Sequence, residues 1–203
     1  MSHDFSKYKG LIFDMDGTLL DTMPSHLDAW GEAAEHFSFP FERAWINGLG
    51  GMPSVKIVDE INRKYNTTLE PKTVANFKAE VFIRMGVVPD RIACTVELLE
   101  KYQGEKKMAV GTGSLRDNAL RLLEQAQLLE QLQAVVTASD VERHKPEPDT
   151  FLLAAEKIGV ASQECVVFED TELGKQAAHR AGMDCFMVVD NQLVFHPVSV
   201  ASL

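Results

Sequence analysis

Five short runs of the chain are apolar at consecutive positions: "GLIF" at 10–13, "KMAVG" at 107–111, "AVVT" at 134–137, "CVVF" at 165–168 and "CFMVV" at 185–189. A strand covered on both faces needs continuous rather than alternating apolar character, so these runs predict a buried parallel sheet. Apolar residues at helical spacing fall between them: Leu115, Ala119, Leu122 and Ala126, then Phe151, Ala155 and Ile158, then Leu173, Ala177 and Ala181. Gly182 supplies a stop for the last of these helices. The alternation of strand and helix through residues 105–190 predicts right-handed crossovers and a doubly wound, Rossmann-like α/β core.

The first strand stands far from the second. The stretch 23–85 between them carries three helical patterns and no convincing strand: Leu27, Trp30, Ala34 and Phe37; Val58, Ile61 and Tyr65; Val74, Phe77, Val81 and Met85. Pro24, Pro53 and Pro71 stand where first turns would begin. The expected organisation is an α/β core formed by 1–22 and 86–203, interrupted by an α-helical cap at 23–85. The two connections fall near 20–23 and 86–92, and residues 190–203 receive no assignment.

Composition narrows the choice of partners. With 203 residues, 45% of them hydrophobic, the chain can bury a full core. Its net charge of −10 and lack of a basic run argue against nucleic acid and against an anionic membrane surface. No targeting pattern opens the sequence and no apolar run could span a bilayer, so a cytoplasmic location is expected. Nothing in the pattern demands more than a monomer. Cys94, Cys165 and Cys185 are too few and too scattered for a disulfide framework or a zinc site; the last two open apolar runs and are expected to be buried.

In an open α/β sheet, ligands bind beyond the carboxyl ends of the strands. Asp14 and Asp16 follow the first run; Thr112, Gly113 and Ser114 follow the second. His144 and Lys145 lie in the loop after the third, and Glu169 and Asp170 after the fourth. Four carboxylates at one sheet edge repel one another unless a cation joins them, and an all-oxygen set with open positions suits Mg²⁺, which accepts substrate phosphate as a further ligand. Neighbouring carboxyls can also divide their roles, one ionised on the metal and the other protonated. That division makes Asp14 a candidate nucleophile and Asp16 a candidate acid.

"DMDGT", a strand ending in Thr112, Lys145 in "KPEPD", and "FED" at 168–170, in that order, resemble the four signature motifs of the haloacid dehalogenase superfamily. The cap position resembles the branch that includes β-phosphoglucomutase. "MAVGTGS", "HKPEPDTFLL" and "CVVFED" are similar to segments of bacterial sugar phosphatases acting on fructose 1-phosphate and 6-phosphogluconate. The resemblance spans about residues 8 to 189. It implies a small phosphorylated sugar as substrate and Mg²⁺ as cofactor. By the same resemblance Asp14 attacks phosphorus, Asp16 protonates the leaving oxygen and then activates water, and Lys145 offsets the crowded charge. The metal is expected on Asp14, the backbone carbonyl of Asp16, and Asp170, with Glu169 a second ligand or an orienter. Thr112 and backbone N–H groups near Met15, Gly17 and Gly113, with Ser114, are expected to hold the phosphoryl group, while His26, Trp30 and Lys78 of the cap face the substrate.

Several residues also admit plainer readings. Trp30 could pack, His26 could be solvated and Asp170 could be only a helix N-cap. Two other functions share parts of the chemistry. A β-phosphoglucomutase needs a cap arginine for a distal phosphate, and Gly51 aligns with that position, although Lys56 and Lys78 could substitute. A receiver-type module also takes phosphate on Asp, but after its third strand and without a cap.

Overall fold

The structure is a computed structural model that describes residues 3–198. Its centre is a six-stranded sheet of β1 (Gly10–Phe13), β4 (Lys107–Gly111), β5 (Ala134–Val136), β6 (Cys165–Glu169), β7 (Asp184–Val189) and β8 (Gln192–His196). The strand order is β5-β4-β1-β6-β7-β8. All pairings are parallel except β7 with β8. Every residue of β1 and β6 is buried, as the continuous apolar runs require. Alternate residues serve opposite faces: Leu11, Phe13, Val166 and Phe168 join one core, and Ile12, Cys165 and Val167 the other. Phe13 and Phe168 stack at 4.7 Å between ring centroids.

The helices α5 (Ala93–Lys101), α6 (Arg116–Gln125), α7 (Asp149–Lys157) and α8 (Glu172–Arg180) complete this region. The chain moves outward from β1 to β4 and β5, then crosses back to β6 and β7. The order therefore reverses beside β1, where such folds open a crevice for ligands.

Between β1 and β4 lie α1 (Met23–Phe37), α2 (Arg43–Asn47), α3 (Ser54–Tyr65) and α4 (Pro71–Arg84). A proline near one start and left-handed residues at two ends explain three of these boundaries. Pro24 occupies the first turn of α1, and Ser38 and Asn66 close α1 and α3 with positive φ. Glu70 caps α4 by accepting the N–H groups of Lys72 and Thr73. Leu27, Trp30, Ile46, Ile57, Val58, Ile61 and Val74 form a separate apolar cluster among these helices. The two connections to the sheet region pair as a short antiparallel ribbon, β2 (Leu20–Asp21) with β3 (Asp90–Arg91).

Three elements depart from the sequence expectation. The short α2 lacks a full amphipathic period, and α5 sits outside the 105–190 alternation that sequence patterning picks out. The third is β8, which forms a hairpin with β7 through Asp190 and Asn191, both at positive φ. Two such residues match the two-residue turn that suits the twist of antiparallel strands. Residues 190–198 are thus partly an edge strand and its turn, while 199–203 lie outside the described residues. Among the described residues, no helix is long and apolar enough to cross a membrane.

Candidate active site

Asp14 and Asp16 leave the end of β1 in different directions, because a tight loop begins between them. The carbonyl of Met15 accepts the N–H groups of Thr18, Leu19 and Leu20, and Gly17 donates to Leu20. Gly17 has φ of +85°, and a Cβ there would lie 2.2 Å from Asp170 Oδ2. Only glycine fits both the backbone angle and the space. Gly17 therefore admits Asp170 to the site, whereas the sequence places it among substrate contacts. The Met15 side chain is fully buried in the core, leaving only its backbone for a ligand.

On one side, Lys145 Nζ donates to Asp14 Oδ1 and Glu169 Oε1, each at 2.6 Å. The other Glu169 oxygen accepts the Thr171 N–H at 2.7 Å and its hydroxyl at 2.8 Å. Both oxygens of Glu169 are thus engaged by protein donors. Gly174 gives it room, since a Cβ there would overlap the Glu169 carboxylate. Thr171, not Asp170, caps α8, its side chain accepting the Gly174 N–H. Asp170 is free of that duty and accepts the Thr18 hydroxyl at 3.2 Å.

Asp14, Glu169 and Asp170 offer carboxylate oxygens within 4.8 Å of one another. Burial, with repulsion from Glu169, Asp170 and Asp16, lifts Asp14 well above the usual carboxylate range despite Lys145. Burial and Glu169 push Asp170 up to about 7. Burial opposes the charge on Lys145, but Asp14 and Glu169 outweigh it and hold the ammonium firmly protonated. Three acids against one lysine leave the cluster short of positive charge. A hard divalent cation fits this all-oxygen donor set, with Asp14 and Asp170 the side chains to hold it.

On the other side, Asp16 is surrounded by donors. It accepts from Thr22 Oγ1 at 2.6 Å, Ser114 Oγ at 2.7 Å and His26 Nε2 at 3.2 Å; the Thr112 hydroxyl lies farther, at 3.4 Å. Lys78 Nζ stands 2.7 Å from His26 Nδ1, which as acceptor leaves the ring proton on Nε2, facing Asp16. Burial would raise Asp16, but His26, Thr22 and Ser114 overcome it and hold the carboxyl below its usual range. Without a metal the surroundings thus favour the proton on Asp14 and the anion on Asp16, because the donors gather on Asp16 and the acids around Asp14, whereas the expected ionised Asp14 is the metal-bound one. Burial, assisted by Lys78, keeps His26 below its usual value, and burial brings Lys78 down to about 8.

Asp14 from the first side and Asp16 from the second reach the floor of a cavity of about 180 Å³, whereas Lys145, Glu169 and Asp170 stand behind Asp14 and do not line it. Asp14, Asp16, Thr112, Gly113, Ser114, His26, Trp30 and Lys78 all line it. Trp30 fills both roles weighed for it, packing in the helical cluster and walling the cavity. His26 is not solvated; it stacks on Phe82 at 4.1 Å between ring centroids. Gly51 also lines the cavity, with φ of +84° and neighbours Thr171 and Lys145. Lys56 is not part of the lining; it is exposed and pairs with Asp59. Thr18, Thr22 and Thr171 receive no role from the sequence, although each directly follows or closes a motif, in "DGT", "LDT" and "EDT".

The fold and site together define a doubly wound α/β protein with an aspartate-led acidic site beyond the carboxyl end of its first strand. Residues 11–188 match the family model for haloacid dehalogenase-like hydrolases. Fructose-1-phosphate phosphatase YqaB of Escherichia coli (strain K12) is 41% identical over 89% of this chain and 96% of its own. The β-phosphoglucomutase of Bacillus subtilis (strain 168) is 29% identical over 86% and 80%. A hydrolase from Pseudomonas syringae superposes with a TM-score of 0.80 at 29% identity, covering 87% of this chain and 83% of that one. The chain belongs to the haloacid dehalogenase-like hydrolases and is an enzyme of their phosphatase type.

Proposed function

We propose that this enzyme is a Mg²⁺-dependent phosphatase of small sugar phosphates that works through an aspartyl-phosphate on Asp14. The carrying observation is the pairing of Asp14, joined to Lys145, with Asp16, joined to its donors, on one cavity floor. A carboxylate oxygen of Asp14 attacks phosphorus as the ester P–O bond breaks, and Asp16 gives its proton to the departing sugar oxygen. Asp16 then takes a proton from water, whose oxygen attacks the phosphoryl group, releasing phosphate and restoring Asp14. Bound Mg²⁺ would supply positive charge to the phosphoryl oxygens and the acids. Thr112, Ser114 and the N–H groups of Met15 and Gly113 serve the same oxygens.

Asp16 must be protonated for the first step although its donors favour the anion. The arriving phosphate dianion supplies the reversal, because a second negative charge nearby raises the carboxyl's proton affinity. The helical unit 23–85 acts as a cap over the floor, turning about the β2–β3 ribbon.

Cavity size and charge favour hydrolysis over mutase chemistry. The volume lies below the roughly 300–1,000 Å³ of drug-sized sites. Lys78 is the one lysine or arginine among the lining residues, and His26 already engages it. Gly51 offers no charge where the mutase arginine aligns. The stronger similarity to the fructose-1-phosphate phosphatase points the same way.

The test supplies Mg²⁺ with fructose 1-phosphate, 6-phosphogluconate, and β-glucose 1-phosphate with and without glucose 1,6-bisphosphate. Phosphate release from either of the first two is expected. Formation of glucose 6-phosphate only with the bisphosphate would make the enzyme a mutase.

A further inference from the structure

We propose that Thr18 and Thr95 are positioning residues that set the metal-binding carboxylate Asp170; the assignment rests on the divalent-cation reading above. Asp14 and Glu169 are held by a buried lysine, but Asp170 depends on the loop that follows β1. Its Oδ2 faces the bare Cα of Gly17, and its Oδ1 accepts the Thr18 hydroxyl at 3.2 Å. The location of Gly17 and Thr18 therefore fixes where this carboxylate can sit.

Most bonds that shape the loop are internal, from Gly17 to Leu20 and from Thr18, Leu19 and Leu20 to Met15. Such bonds preserve its shape without fixing its place. Thr95, in the first turn of α5, reaches it from 77 residues away and donates to the Thr18 carbonyl at 2.5 Å. The same hydroxyl lies 3.0 Å from the Ile92 carbonyl, and the Ile92 N–H donates to Leu19. Thr18 and Thr95 are both wholly buried, so water cannot replace either bond. The path runs from α5 through the Thr95 hydroxyl and the Thr18 backbone to the Thr18 hydroxyl and Asp170.

Mg²⁺ tolerates little departure from its octahedral geometry, and groups that orient metal ligands typically change affinity about 10- to 100-fold when removed. A shift in this loop should therefore appear first as weakened cation binding. Thr18→Val and Thr95→Val keep nearly the same volume while deleting the hydroxyl; Thr18→Ser and Thr95→Ser keep it.

The experiment titrates Mg²⁺ into each protein and follows the thermal unfolding midpoint, with no substrate present. About a 10-fold rise in the half-saturating concentration is expected for Thr18→Val and about 3- to 10-fold for Thr95→Val, with both serine variants near wild type. The double valine variant should bind no more weakly than Thr18→Val, because both hydroxyls act on one carboxylate. If Thr95→Val fails to fold, Thr95→Ala reads the same loss without a branched methyl against the carbonyl. Valine variants that unfold earlier yet keep the wild-type half-saturation would overturn the assignment and leave the hydroxyls purely structural. A wild-type midpoint indifferent to Mg²⁺ would overturn the cation reading and this assignment together.

Discussion

Asp14 and Asp16 stand two residues apart, yet their surroundings follow opposite electrostatic designs. Asp14 shares its buried space with Glu169 and Asp170 and has one lysine to offset them. Asp16 has a serine, a threonine and a histidine directed at it. The first arrangement raises proton affinity and calls for a cation; the second lowers it and holds the carboxylate as an anion until substrate charge arrives. Two carboxylates thus acquire different chemistry because the tight loop that begins at Met15 carries them to different neighbours.

The largest effects should come from removing each charge in turn. Asp14→Asn deletes the proposed nucleophile and is expected to lower kcat by about 10⁴-fold or more. Asp16→Asn deletes the acid and base and should cost about 10²- to 10⁴-fold. Their stabilities should diverge. In chelator, Asp14→Asn relieves an overcrowded negative cluster and should unfold at or above the wild-type temperature. Asp16→Asn leaves donors facing an amide and should unfold earlier. Steady-state kinetics and thermal melts on the same preparations test both halves, and retained turnover in Asp14→Asn would remove the covalent mechanism.

Lys145→Met provides a smaller, pH-dependent test. Lys145 is buried between Asp14 and Glu169, so methionine leaves two carboxylates facing each other without their shared ammonium. Breaking one partner out of a buried charge set typically costs about 3–5 kcal/mol. Denaturant unfolding in chelator near pH 8 should register a loss of that order. Near pH 5 the loss should shrink, because a proton on Asp14 can replace the missing charge. A loss equal at both values would mean that packing, rather than charge, gives Lys145 its place.

The legibility of these features follows their range in sequence. The runs at 10–13, 107–111 and 165–168 announce buried strands because the signal lies in consecutive residues, and the groups after them converge because sheet topology brings strand ends together. β8 was hidden because an edge strand need not be apolar; its evident signal was the pair Asp190-Asn191, suited to a tight hairpin turn. The Lys78 contact with His26 and the Thr95 contact with Thr18 join residues 52 and 77 apart. No local pattern specifies such pairs. The unequal proton affinities of Asp14 and Asp16 are equally hidden, because they depend on how many donors each carboxylate meets in space.

The finest test of the contrast is stability against pH without metal. Asp170 moves from an ordinary 3.8 to about 7 on folding, and Asp14 moves in the same direction. The folded protein therefore binds more protons than the unfolded chain between those values. The stability these acids contribute is present below about pH 4 and lost as pH rises through about 7. Lys78 has the opposite proton balance, falling from 10.5 to about 8, so its contribution improves as pH climbs from about 8. Together they predict a shallow minimum between about pH 7 and 8 in melts recorded with chelator. Mg²⁺ competes with protons for Asp14 and Asp170, so it should raise the midpoint more at pH 8 than at pH 5 and fill in the acid side of the minimum. Lys78 lies across the floor from that cluster, so the alkaline rise should persist, while His26, held below its usual 6.5, adds a rise that ends near that value and partly offsets the acid-cluster loss. A chelated protein with no loss of stability between about pH 5 and 7 would mean that the acid cluster does not need a cation to balance its charge.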